Sequence, residues 1–203
     1  MIKKDILGSL LMYLTARRNT YYVEHMKKNL KWIGEDVKCE YPFKIINPDC
    51  VTIGNNVVIS SGSNIMAIKK YNTQDFKPAI SIGSGSYIGR YAHIVAASYI
   101  DIGKKVLIAD KVYISDNQHS YRDVKIQIMD QDISVPGNIV IEDDVWIGEN
   151  VCIFGSVRIG RHSVIGANSV VTRNIPELSV YAGNPGRIIK RYDVRSSSWS
   201  AAI

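Results

Sequence analysis

The chain has 203 residues, 46% hydrophobic and 22% charged, with 25 Lys and Arg against 19 Asp and Glu for a net charge of +6. These are the proportions of an ordinary globular protein, which excludes disordered and collagen-like classes, and the length suffices to bury a core without disulfide staples. No run approaches the roughly 20 apolar residues of a membrane span, and the mild basic excess suggests an anionic ligand or surface only weakly. Cys39, Cys50 and Cys152 cannot all pair and show no CxxC or Cys/His zinc spacing, so they read as reduced thiols in a cytoplasmic protein.

At the start, Lys3 and Lys4 precede an apolar stretch from Ile6 to Leu14, the outline of a secretory leader. Asp5 interrupts the basic end, and Leu14, Thr15, Ala16 and Arg17 make a poor cleavage site, so a helix is expected instead. Ile6, Leu7, Leu10, Leu11 and Leu14 recur at helical spacing, and a second helical stretch is expected through Tyr22, Val23, Met26 and Leu30. Residues 1–32 are therefore read as a helical segment that packs on the rest of the protein or on a neighbouring subunit. Lys27, Lys28, Lys31, Arg17 and Arg18 also suit a peripheral position on an anionic inner membrane face.

A six-residue period organises the rest of the chain. Aliphatic residues stand at Ile53, Ile59 and Ile65, at Ile82, Ile88 and Ile94, at Ile102, Ile108 and Ile114, and from Ile141 through Ile147, Ile153, Ile159 and Ile165 to Val171; Ile33 and Cys39 extend the series backwards. Small or β-branched residues stand four places on, as at Val57, Ala92, Val106, Val145 and Ser163. Glycine directly follows many of the isoleucines, as in Ile82-Gly83 and Ile88-Gly89. Such a period fits neither a helix nor the two-residue alternation of a β-sandwich, but it fits one short strand plus one tight corner of a parallel β-solenoid with three sides per coil. The repeating Ile should point into the core, with glycine supplying corner geometry.

The repeat of Ile or Val, Gly, two variable residues, a small residue and another variable one resembles the hexapeptide-repeat acyltransferases. That resemblance implies a left-handed parallel β-helix over residues 33–192. The left-handed sense is implied by the resemblance alone, because parallel crossovers are generally right-handed. It also implies acetyl-CoA as acyl donor, no metal, and a homotrimer with active sites in the grooves between subunits. Val145 to Lys190 is most similar to the galactoside and maltose O-acetyltransferases and to capsule or O-antigen O-acetyltransferases. Residues 193–203 are read as a C-terminal tail.

The period breaks at about 66–81 and 115–138, and insertions in a solenoid usually carry its function. The second break holds Asp116, Asn117, His119, Tyr121, Arg122 and Asp123. A lone loop histidine is commonly just solvated, but the place of His119 at the head of the larger insertion resembles that of the family's catalytic histidine. Imidazole, with an unperturbed pKa of about 6.5, can accept a hydroxyl proton near neutrality and pass it on. Asp116 or Asp123 is available to orient the ring. Asp116, Asn117 and His93 are candidate acceptor-binding residues, although His93 also fits a plain coil-surface position; the resemblance implies that Trp146 walls the site next to the catalytic histidine, with subunit packing as the alternative. A zinc enzyme of the gamma-class carbonic anhydrase type would need closely spaced histidines, and His25, His93, His119 and His162 contain no such pair.

By the same resemblance, the acetyl-CoA positions are Glu149, Ala167, Thr172, Arg173, Arg187 and Lys190, with backbone groups near Gly148 and Glu149 polarising the thioester carbonyl. The arginines and the lysine are suited to phosphate. Around Ile88 to Ala97 the chain lacks a match to the acceptor-holding asparagine and aspartates of the galactoside and maltose enzymes, so the capsule and O-antigen enzymes are the closer analogy. The expectation is an O-acetyltransferase acting on a sugar hydroxyl in capsule, O-antigen or exopolysaccharide biosynthesis. N-acetylation of an amino sugar or nucleotide-linked amino sugar is the alternative, and a catalytically silent scaffold is the rival from another class. Nucleic acid is not an expected partner, because the cations are not interleaved with aromatics along one patch.

Overall fold

The computed structural model describes residues 6–202; Lys3, Lys4 and Asp5, the expected basic start of the helix, lie outside them. The residues spaced six apart stack on one another. Ile33, Ile53, Ile82, Ile102, Ile141 and Ile159 pair in register along a first face of parallel strands. Cys39, Ile59, Ile88, Ile108, Ile147, Ile165 and Tyr181 do so along a second. Ile45, Ile65, Ile94, Ile114, Ile153 and Val171 line the third. Six strands on each face make six complete coils, and the second face continues through three more strands. From Ile53 onward no member of these ladders is more than 2% exposed. Each buried aliphatic side chain contributes about 1.5–3 kcal/mol, so the core is a column along the axis rather than a round centre.

The corners correct one expectation. Glycines that directly follow the repeat isoleucines, such as Gly83 and Gly89, are not in the left-handed region; that conformation falls three residues after the isoleucine, at Asn56, Lys105, Lys111, Asp144, Asn150 and His162. Glycine is required for closeness instead, because a Cβ on Gly83 would lie 2.4 Å from the Gly103 carbonyl carbon in the next coil. Buried serines satisfy the corner backbone: Ser86 Oγ donates to Gly103 O (2.8 Å) and accepts from Val106 N–H (3.0 Å).

In place of two helical stretches there is one continuous helix, Ile6–Lys27. Its C-terminal half docks on the first coil: Val23 and, just beyond the helix, Leu30 are buried, Tyr22 stacks on Tyr41 with centroids 4.7 Å apart, and the Arg18 guanidinium lies 4.6 Å from the centre of the Tyr41 ring. Toward its N-terminal end the helix leaves Leu7, Leu10, Leu11, Met12, Tyr13 and Leu14 exposed. The expected tail is also ordered. Ser198–Ala201 forms a strand antiparallel to Gly186–Asp193 and covers hydrogen-bonding groups that would otherwise form an open sheet edge.

Both insertions leave the corner between the third and first faces. Each folds back as a short antiparallel pair, Lys70–Tyr71 with Gln74–Asp75 and Gln118–His119 with Ile133–Ser134.

Candidate active site

His119 sits in the stem of the long insertion, directly opposite Ile133. Ile133 is 5% exposed and anchors the stem, whereas the imidazole is exposed. Farther out, the buried Gln131 amide holds the loop in shape, donating to the carbonyls of Asp123 and Ile126 at 2.9 Å each and accepting from Asp123 N–H at 3.2 Å. The shorter insertion docks on this stem. Gln74 pairs with the Ile133 backbone through both its amide atoms, accepting from N–H (2.8 Å) and donating to the carbonyl (3.2 Å). Beside it, Tyr71 Oη lies 3.2 Å from His119 Nδ1 and donates to Met129 O at 2.8 Å. The Tyr71 and His119 rings meet edge to face, 5.3 Å between centroids.

The partner of the His119 ring is thus Tyr71 rather than either aspartate. Asp116 is fully buried, and its carboxylate accepts the backbone N–H groups of Ala97 and Ser98, each at 2.8 Å. The Asn117 amide nitrogen is spent in the same brace, donating to Asp116 Oδ1 (3.0 Å) and Val95 O (3.4 Å). Asp116 therefore supports the corner beneath the site and is closed to a ligand. Asp123 Oδ1 accepts Lys125 N–H and shapes its own turn. His93 lies on the outside of the third face, edge to face with Tyr113 at 5.4 Å and 3.4 Å from Asn64 Nδ2. Burial holds its pKa below the ordinary histidine value, which keeps it neutral and suited to hydrogen bonding. Among the described residues, no group of three or more His, Cys, Asp or Glu is placed to hold a metal ion.

The donor candidates lie elsewhere. Outward side chains of the second face form a row in register: Tyr87, Leu107, Trp146, Val164 and Val180, then Lys190 on the antiparallel strand. Arg187 pairs with Ala182 on the same sheet extension, and Thr172, Arg173 and Ala167 are exposed at the same end. A largely apolar strip ending in cations has the polarity of a thin pantetheine arm leading to phosphates. One detail departs from expectation. Gly148 N–H donates to Ile165 O at 2.8 Å inside the coil, so it is not available to a thioester. Glu149 is exposed and paired with Lys111 at 3.2 Å. Trp146 faces outward as expected, but on the face opposite the corner from which His119 emerges, so one chain does not bring the two together.

Residues 138–173 match the bacterial transferase hexapeptide family (six repeats). Over 170 residues, 80% of this chain and 82% of the relative, the chain is 31% identical to WbbJ of Escherichia coli K12, which carries the name of a lipopolysaccharide biosynthesis O-acetyl transferase. The chain belongs to the hexapeptide-repeat acetyltransferases. This acetyltransferase is also 39% identical to the galactoside O-acetyltransferase of Escherichia coli K12 over 125 residues, 59% of this chain and 60% of that one. Its fold matches a mutant of AntD, an N-acyltransferase from Bacillus cereus, solved with dTDP-4-amino-4,6-dideoxyglucose and coenzyme A. The TM-score is 0.71 at 23% identity, over 85% of this chain and 90% of that one. The hexapeptide-repeat acetyltransferase fold is a left-handed β-helix, in agreement with the resemblance and against the usual crossover preference.

Sequence reasoning missed Tyr71, Asn72 and Gln74, which join the two insertions. The pairs are 48 to 59 residues apart, and no local spacing reports them. The available signal was the shared corner, since both insertions interrupt the period after a third-face strand.

Proposed function

We propose that this acetyltransferase moves an acetyl group from acetyl-CoA to a sugar hydroxyl, in the assembly of a capsule, O-antigen or exopolysaccharide. The observation that carries it is the exposed His119 imidazole, held through one nitrogen at the stem of the long insertion with the other directed away from its anchor. In this reading His119 takes the proton of the sugar hydroxyl as its oxygen attacks the acetyl carbonyl. The C–S bond breaks, and the proton passes to the departing coenzyme A sulfur. The row from Leu107 through Trp146 to Lys190, with Arg187 and Arg173 beside it, is the proposed track for coenzyme A, which moves Trp146 from the expected acceptor wall to the donor side.

Because that row and the His119 corner lie on opposite sides of one chain, the complete site is assigned to a groove between copies in a homotrimer. One copy contributes His119 and the next contributes the donor row. Asn117 and Asp116 support the acceptor side from beneath, and His93 is assigned to its wall. The protein is assigned to the cytoplasm, where acetyl-CoA is available, with its basic N-terminal helix able to lie against an anionic membrane face.

Thiol release from acetyl-CoA, measured with a panel of saccharide hydroxyl and amine acceptors, tests the reading. Hydroxyl acceptors should support turnover, and His119→Ala should lower it by about 10²–10⁴-fold, the usual contribution of a positioned acid–base group. Unchanged turnover in His119→Ala overturns the mechanism, and turnover with amine acceptors alone overturns the assignment to oxygen.

A further inference from the structure

We propose that Tyr71 sets the tautomer of His119, making the first insertion a positioning arm for the second. The protons at this contact can be counted. A phenol has one proton to donate, and Tyr71 Oη is 2.8 Å from the carbonyl of Met129, an atom that can only accept. The Tyr71 proton is therefore committed to Met129. At 3.2 Å, the contact with His119 Nδ1 is a hydrogen bond only if the imidazole donates, so the ring proton resides on Nδ1 and the phenol oxygen accepts it. The Nε2 lone pair is then free toward the open side. An imidazole with no partner at Nδ1 favours the opposite tautomer, with its proton on Nε2, which cannot act as a base there.

The arm is built to hold that arrangement. Asn72 Nδ2 donates to the carbonyls of Met129 and Gln131, each at 3.3 Å. Gln74 is clamped to Ile133, the residue opposite His119. Tyr71 is therefore fixed to the same stem as the histidine it serves, by contacts that do not involve its own hydroxyl. Removing the hydroxyl deletes its bonds to Met129 O and His119 Nδ1, while the Asn72 and Gln74 contacts should keep the arm docked. Tyr71 touches no reacting atom in this role; it acts through His119, and its effect on rate rests on the reading of His119 as the base.

Nitrogen-15 NMR of histidine-labelled protein, with His119→Gln used to assign the signal, tests the claim without turnover. His119 should be protonated on Nδ1 at a pH where it is neutral, and Tyr71→Phe should move the proton to Nε2. In the acetyl-transfer assay Tyr71→Phe should lower kcat about tenfold, the scale of one lost hydrogen bond, with KM for acetyl-CoA unchanged. Asn72→Ala, which loosens the arm but keeps the phenol, should retain the wild-type tautomer. Finding His119 protonated on Nε2 in the wild type, or on Nδ1 in Tyr71→Phe, overturns the proposal. So does an unchanged kcat in Tyr71→Phe while His119→Ala abolishes turnover. If His119→Ala leaves turnover intact, it is the base assignment that fails, and the NMR result still decides the Tyr71 contact.

Discussion

Asp116 and His119 lie three residues apart in one polar segment, yet one is buried and the other is open to solvent. The difference comes from what their neighbours leave unpaired. The corner at Ala97 and Ser98 turns two N–H groups inward, and the Asp116 carboxylate satisfies both. Replacing it with Asn keeps one acceptor but turns an NH₂ toward a backbone donor. Asp116→Asn is expected to cost about 1–3 kcal/mol, the penalty for stranding a buried polar group, read as a lower midpoint in urea unfolding. The sequence points to His119 because its residue type and its place in the insertion agree. It cannot separate a ligand-binding Asp116 from a structural one, because burial depends on the coil beneath it.

At the scale of the element, the unit is one strand and one corner, repeated until the isoleucines form three continuous ladders. Stability is then shared between neighbouring coils, as expected of a solenoid. Ile108 is fully buried between Ile88 and Ile147, so Ile108→Ala should cost about 2–5 kcal/mol by combining lost burial with a cavity; a shift in thermal or urea unfolding would measure it. The strands are legible because the period is local and every coil repeats it. The role of the glycines is hidden for a related reason. A single repeat shows where flexibility is permitted, while the need for closeness arises only when Gly83 meets Gly103 of the next coil. The continuity of the helix is likewise hidden, since the spacing marks its two apolar stretches but not the turns that join them.

For the whole molecule, the relation between faces matters most. The outward row of Tyr87, Leu107 and Trp146 leaves large apolar side chains 36%, 46% and 51% exposed on one side of a single chain, and His119 stands at the opposite corner. If the proposed assembly completes the site, sedimentation should give about three chain masses of 22.7 kDa each. Mixing an inactive His119→Ala chain with an inactive donor-row variant such as Trp146→Glu should then recover part of the activity, because some grooves combine one intact half from each. A monomer that turns over at full rate would contradict the assembly. The charge of +6 also gains locations at this scale, some of it on the helix at Arg17, Arg18 and Lys27 and some at Arg173, Arg187 and Lys190 beside the end of the row.

The sequence by itself determined the solenoid, the positions of its core residues, the two insertions and the place of His119 at the head of the second, because each is written in local period or in a break of that period. The family resemblance added the left-handed sense and the acetyltransferase activity. Only the tertiary structure decided that the two insertions join, that Tyr71 rather than an aspartate meets His119, that Asp116 is a brace, and that Trp146 faces away from the histidine of its own chain. Those outcomes depend on which corners and faces are stacked together across tens of residues. Hydrogen-bond partners and burial at such distances are fixed by the coil as a whole, not by any stretch of chain read alone.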